Sequence, residues 1–268
     1  MARVKQLDVM TGSLKNLSFY TRKGSDEVFV RTKGGASKDS IKRRPELENI
    51  RKSNLEFGGC SGMSKEIRRT FATIAHVADY NLAPVLCSLA KNLQKGDTDH
   101  PVGERSLSLS KYKAYLNGFD FNKSYRFDSV LRIPLQWDID RTAQQAKVDI
   151  PDFACSLGLY LPGNYSLFRI LITLGVATDM TLNNNKNGYE PAHPKLNQGN
   201  HQTATPWYST QASVPGQQLL LNISNPEIPL EDNDTLILSI AIEFGTLDAF
   251  GNPTALKHGG AGKILLSR

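Results

Sequence analysis

The chain has 268 residues, 40% of them hydrophobic and 22% charged, a composition that buries a core and argues against a disordered protein. No apolar run reaches the ~18 residues that span a bilayer, and Met1–Met10 lacks the apolar stretch of a secretory signal, so the expectation is a cytoplasmic protein without membrane insertion. The net charge of +6 is unevenly placed: the first 70 residues hold 16 of the 32 Lys and Arg but 8 of the 26 Asp and Glu, leaving the other 198 at −2.

Residues 1–36 read as a β-hairpin arm. Ser13–Tyr20 and Glu27–Thr32 are aromatic or β-branched runs, separated by a turn over Thr21–Asp26 with Gly24. A lone two-stranded hairpin is marginal in water, so the arm needs a body or a second subunit to lie on. Residues 37–96 read as helical. A short helix is expected from Pro45 to Phe57, broken by Gly58, Gly59 and Gly62; a second from Ser64, as N-cap, to Tyr80; and a third from Val85 to Gln94, stopped by Gly96.

Residues 97–107 have a linker's composition. From residue 108 to 268 the apolar period shortens to two, with strands expected at 127–137, 146–150, 166–177, 218–224, 235–244 and 263–267, and Pro, Gly and Asn clusters between them. The fold class is therefore α+β, mainly β: hairpin and short helices, then an antiparallel β-sandwich or jelly roll. The nearly unbroken apolar run Leu236–Phe244 should be a central strand covered on both faces, whereas Pro151–Phe153 belongs at an edge or strand end.

Chemistry-bearing patterns are weak. Gly58-Cys60-Gly62 has the bare spacing of a nucleophile elbow without the apolar strand that an elbow follows. Lys33–Lys38 is glycine-rich like a phosphate loop but lacks the Walker spacing. Three widely spaced cysteines make neither a disulfide framework nor a zinc motif. His193, His201 and Glu190 would share a metal only if their loop folded back, and Asp138, Asp140, Glu231, Asp232 and Asp234 read as turn carboxylates before they read as a cation site. The expectation is a chain with no catalytic residue, no cofactor and no metal. Trp207 and Tyr208, in a loop with Asn197, Gln198, Asn200, His201 and Gln202, have the mixture of aromatic and amide groups that a sugar site uses; alternatively, Trp207 plugs the end of the sandwich core.

Gly12–Tyr20, then Val30, Arg31, Lys33, Gly34, Gly35, Ser37 and Ile41, then Arg51, Asn54, Glu56, Phe57 and Gly58 resemble the opening of a family of uncharacterised proteins common in Bacteroidota genomes. The last strands, from Leu236 to Leu266, resemble that family more loosely. The resemblance implies a bacterial intracellular protein with a stereotyped arm on a variable sandwich, and it brings no activity.

The expected function is that of a non-enzymatic structural subunit that self-assembles into a ring, tube or filament through its arm. The contact residues expected are Leu14, Leu17, Phe19, Tyr20, Val28, Val30, Arg31, Lys33, Arg43, Arg44, Arg51 and Phe57, with the cations meeting acidic groups of the sandwich. Its partners are copies of itself, with an unknown protein partner as a further option. Ligand binding at Trp207 and Tyr208 is the first alternative. Nucleic-acid binding by the arm ranks last, because Asp39, Glu46, Glu48, Glu56 and Glu66 interleave with the basic residues.

Overall fold

A computed structural model of the chain describes residues 3–4, 12–22, 27–183, 188–194, 200–223 and 229–268. The expected turn residues Lys23–Asp26, the middle of the Asn183–Gly188 turn, Asn197 and Gln198 lie outside the described residues. The chain divides into two compact units, Met1–Arg51 and Lys52–Arg268.

In the first unit, β1 (Arg3–Val4), β2 (Gly12–Leu14), β3 (Leu17–Thr21) and β4 (Val28–Thr32) form an antiparallel sheet in the order β1-β4-β3-β2. The run expected as one strand over 13–20 is folded in two by a tight turn at Lys15-Asn16, with Lys15 at φ 48°. That is a left-handed backbone that a sequence without glycine or asparagine at the position does not advertise. A short helix α1 (Lys38–Arg43) follows, capped by Ser37, whose Oγ accepts the Ser40 N–H at 3.1 Å; such a cap contributes about 1 kcal/mol.

Helix α2 runs unbroken from Glu48 to Thr70, 23 residues. It absorbs residues 48–57 of the helix expected at 45–57, whose start at Pro45–Leu47 is a 3-10 turn, and the first part of the one expected at 64–80, and it passes straight through Gly58, Gly59 and Gly62. Glycine does not end it because two of the three glycines are sites of close packing. A Cβ on Gly59 would come within 2.7 Å of the Tyr189 ring, and one on Gly62 within 2.7 Å of Met180 Cε. Tertiary contact outweighs a propensity penalty of about 1 kcal/mol per glycine. Ser64 is thus an interior residue, its Oγ donating to the Ala83 carbonyl at 3.0 Å. After Thr70 the chain winds through a short 3-10 turn, Ala75–Val77, into α3 (Leu82–Lys95), which is capped by Asn81 and stopped at Gly96.

Residues 97–107, expected as a linker, are fastened down inside the second unit. The buried carboxylate of Glu56 accepts Arg105 Nε and Nη2 at 2.7 Å each, Lys91 Nζ at 2.8 Å and the Gly103 N–H at 2.9 Å. Asp97 accepts the N–H groups of Asp99, His100 and Ser106. Phe127–Val130, expected to begin a strand, is instead a helical turn, α4, with Phe127 and Val130 buried three residues apart.

Strands β5 (Gln136–Asp140) and β6 (Gln145–Ile150) come next, then β7 (Phe153–Ala154) and the helical turn α5 (Cys155–Gly158). They are followed by β8 (Leu167–Thr178), β9 (Met180–Asn183), β10 (Gly188–Pro191), β11 (Asn200–Ala204), β12 (Tyr208–Ser209), β13 (Ser213–Val214), β14 (Gln217–Asn222), β15 (Asp234–Leu247) and β16 (Pro253–Ser267). The main sheet has the order β11-β8-β15-β16, with β12 also on β8, and a smaller sheet has the order β14-β6-β5. All of these pairings are antiparallel.

The main sheet is covered on both faces. Phe168, Ile170, Ile172 and Leu174 of β8 and Leu236, Leu238, Ile240, Ile242 and Phe244 of β15 face a core shared with Val148, Ile150, Leu219 and Leu221 of the smaller sheet. The alternate residues Leu171, Ala177, Ile237 and Ala241 join Met63, Ile67 and Phe71 from α2 and the turn after it and Leu86 and Leu93 of α3 in a second core. This is the two-faced burial expected of Leu236–Phe244, with the period of two supplying one residue set to each layer. Thr70 rests on the sheet at Gly175, where a Cβ would lie 2.7 Å from its Cα. The α+β, mainly β class holds, with antiparallel sheets, a hairpin-containing N-terminal sheet and a few helices. Among the described residues no helix is long and apolar enough to cross a membrane.

Candidate functional site

The register of the N-terminal sheet sorts the expected contact residues by face. Leu14 pairs with Leu17, Phe19 with Val30 and Thr21 with Val28, so Leu14, Leu17, Phe19, Val28 and Val30 share one side. Leu14 and Leu17 are 57% and 38% exposed, and Val28 is the only described apolar side chain of residues 12–51 that is buried. Tyr20 pairs with Phe29 on the opposite side, the two rings stacked at 5.7 Å, with the Arg22 guanidinium 4.4 Å from the Phe29 ring and that of Arg31 5.5 Å from the Tyr20 ring. One small sheet thus carries an apolar face and an aromatic-arginine face.

Lys33, Arg43 and Arg44 are exposed. Arg51 is tied in part within the chain: its Nη1 donates to the carbonyls of Ile41 at 2.7 Å and Arg44 at 2.8 Å, satisfying acceptors that the end of α1 leaves open. The unit 1–51 contains 12 Lys and Arg against 6 acids, and residues 52–268 hold 20 of each. The division in the structure therefore places the whole excess charge in the first unit and leaves the second formally neutral.

Phe57 belongs to the second unit and is 63% exposed. It borders a groove of about 500 Å³ between α2 and α3 whose lining includes Ser64, Arg68, Ala83, Pro84 and Cys87. Burial pushes the Cys87 thiol up, so it is not an activated nucleophile. Cys60, fully buried within α2, is raised to about 11 by burial, and no strand-turn-helix surrounds it.

Trp207 and Tyr208 do not form one platform. Tyr208 packs against the inter-sheet core, 6.1 Å from the Phe168 ring, and its hydroxyl accepts from Gln217 Nε2 at 3.0 Å. Trp207 lies elsewhere: the Arg169 guanidinium covers its ring at 4.6 Å, and Gly245 leaves room for it where a Cβ would come within 2.7 Å. The indole is half-buried and belongs to neither core cluster, so it does not plug the sandwich.

Arg169 leads to a cluster that composition does not reveal. Glu243, 2% exposed, accepts Arg169 Nε at 2.6 Å on one carboxylate oxygen and lies 2.5 Å from His76 Nε2 with the other. The hydrogen bond to Glu243 raises the His76 pKa. For Glu243, burial pushes the carboxyl up, but the bonds from His76 and Arg169 outweigh it and the net direction is down. The one available signal was a glutamate inside an otherwise apolar, two-faced strand, where a charge must find partners.

The turn acids do not assemble a cation site. Asp140 accepts the Ala143 N–H, Asp138 meets Arg268 at 3.3 Å, and Glu190 takes Asn183 Nδ2, while His193 lies between Asp234 at 3.1 Å and Glu231 at 3.5 Å without His201 or Glu190. Among the described residues no group of three or more His, Cys, Asp or Glu side chains is placed to hold a metal ion. No protein-family model, no curated protein and no solved structure matches the chain.

Proposed function

We propose that the chain is a structural subunit that associates with copies of itself through its N-terminal unit. The observation that carries this reading is the apolar side of the N-terminal sheet, where Leu14, Leu17, Phe19 and Val30 line up and, of the described residues 12–51, only Val28 is buried. Strands of two to five residues do not bury enough surface to be stable alone. A second copy offering the same apolar side supplies the missing cover, which is the arrangement of a symmetric contact. Light scattering and negative-stain microscopy of the full chain test this against Leu17→Asp with Phe19→Asp. Particles larger than one chain that shrink on substitution support the reading; a monomer at every concentration overturns it.

A second reading has its own observation. The row Arg22, Phe29, Tyr20 and Arg31 puts guanidinium groups on aromatic rings in a unit with net charge +6, a pattern that suits a single-stranded nucleic acid, with phosphates on the arginines and bases beside the rings. Retention of the chain on immobilised oligo-dT, falling steeply with salt and lost in Arg22→Gln with Arg31→Gln, supports it; retention that ignores salt counts against it.

A further inference from the structure

The longest hairpin of the molecule ends in an apolar knob. Strands β15 and β16 stay paired to Leu247 and Pro253, and the tip between them is pinned by Asp248, whose Oδ1 accepts the N–H groups of Phe250 and Asn252 at 2.8 Å each. Gly251 takes φ 83° to close the turn. This well-bonded tip presents Phe250 at 90% exposure and Leu247 at 56%. A scattered surface leucine needs no explanation, but a phenylalanine held out on a fixed turn beside a second apolar side chain reads as a contact.

The groove between α2 and α3 is its counterpart in shape and charge. Its volume of about 500 Å³ is ample for a phenyl ring with a leucine beside it, and Phe57, Ala83, Pro84 and Cys87 give it apolar walls. Arg68 stands on its edge, giving Nε to the Ser64 carbonyl at 3.3 Å and leaving its terminal nitrogens without a partner among the described residues. Lys91 also borders the groove, but its ammonium is held by Glu56 and Gln94. The tip brings an acid, Asp248, next to its apolar pair, so the charges match as well.

Knob and groove are different surfaces of the second unit and share no residue. We propose that the 247–252 tip of one copy seats in the α2–α3 groove of the next, with Phe250 against Ala83, Pro84 and Cys87 and Asp248 facing Arg68. Because the two surfaces differ, the contact is heterologous, head-to-tail, and repeats from copy to copy. It shares with the reading above only the premise of self-association and needs no residue of the N-terminal unit.

Cys87 makes the contact testable in the full chain, since the other two cysteines are buried. Leu247→Cys, oxidised with diamide, is expected to give disulfide-linked species of three or more copies. The ladder should vanish on adding Cys87→Ser, and also on adding Phe250→Asp, which alters a side chain outside both cores. No cross-linked species, or closed dimers only, overturns the proposal. Light scattering separates it from the arm contact: if Phe250→Asp leaves particle mass unchanged while Phe19→Asp reduces it, this contact fails and the arm stands. The reverse pattern leaves the knob and removes the arm.

Discussion

His76 Nε2 lies 2.5 Å from the carboxylate of Glu243, a side chain only 2% exposed, so a half-exposed imidazole neutralises a charge buried inside the main sheet. The His76 pKa is raised from 6.5 by this bond, so its contribution is complete below about pH 6.5 and is lost as pH rises through the folded value. Glu243 is depressed from 4.5, so its contribution is present above about pH 4.5 and is lost on acidification. The two directions together predict a stability maximum on the weakly acid side of neutral. Melting temperature followed from pH 4 to 9 should show it; His76→Gln should flatten the alkaline limb, and a wild-type limb already flat would refute the linkage.

Arg169 is the second partner of that carboxylate and also covers Trp207. Arg169→Met leaves Glu243 dependent on His76 and should cost about 3–5 kcal/mol, more at pH 9 than at pH 6, because the imidazole's charge is lost as pH rises through its raised value. In a Trp137→Phe background, the fluorescence of Trp207 should shift in the same variant. Denaturant unfolding at the two pH values checks the difference.

Glu56 carries a stronger pH signal in the acid range. The Arg105 side chain, opposed by burial and aided by the Gly103 N–H and Lys91, holds its carboxyl down at about 2. The stabilisation is therefore complete above the ordinary 4.5 and declines as pH falls from there toward about 2. Glu56→Gln should lower stability at pH 7 by more than about 3 kcal/mol, as removing one partner from a buried charged network does, and should remove much of the acid slope. Amide exchange should rise first in residues 97–107, which this carboxylate fastens.

Gly58 and Gly59 are neighbours in α2 with opposite expectations. Nothing lies within 4 Å of a Cβ at Gly58, so Gly58→Ala should stabilise by about 0.5–1 kcal/mol through helix propensity. At Gly59 the added carbon meets the Tyr189 ring at 2.7 Å, and Gly59→Ala should destabilise by about 1–3 kcal/mol as overpacking outweighs propensity. Thermal unfolding of the two variants, measured side by side, tests the sign of each.

The legibility of the fold varied with how local its causes were. Leu236–Phe244 announced itself, because a strand covered on both sides is apolar nearly throughout; Ser239 and Glu243 are its two polar residues, and Glu243 is the one that is charged and held by partners. The α2 glycines misled, since their reason lies at Tyr189 and Met180, more than 100 residues away. Strand β11, Asn-His-Gln-Thr-Ala, passed as loop because an edge strand with exposed positions needs little apolar content. The turn at Lys15-Asn16 gave no glycine to find. For the candidate contact surface, the alternation of Leu17, Phe19, Val28 and Val30 was readable, but the intramolecular use of Arg51 and the knob at Phe250 required the third dimension.

The placement of all six net charges in residues 1–51 has an electrokinetic consequence. Two N-terminal units approaching each other repel, while the formally neutral remainder neither attracts nor repels them at long range. Association through those units should therefore quicken as added salt shortens the screening length to about 8 Å near physiological strength, whereas association through the hairpin tip, which pairs Asp248 with Arg68, should weaken modestly. Ionic strength alone thus distinguishes the routes by which copies of this chain meet.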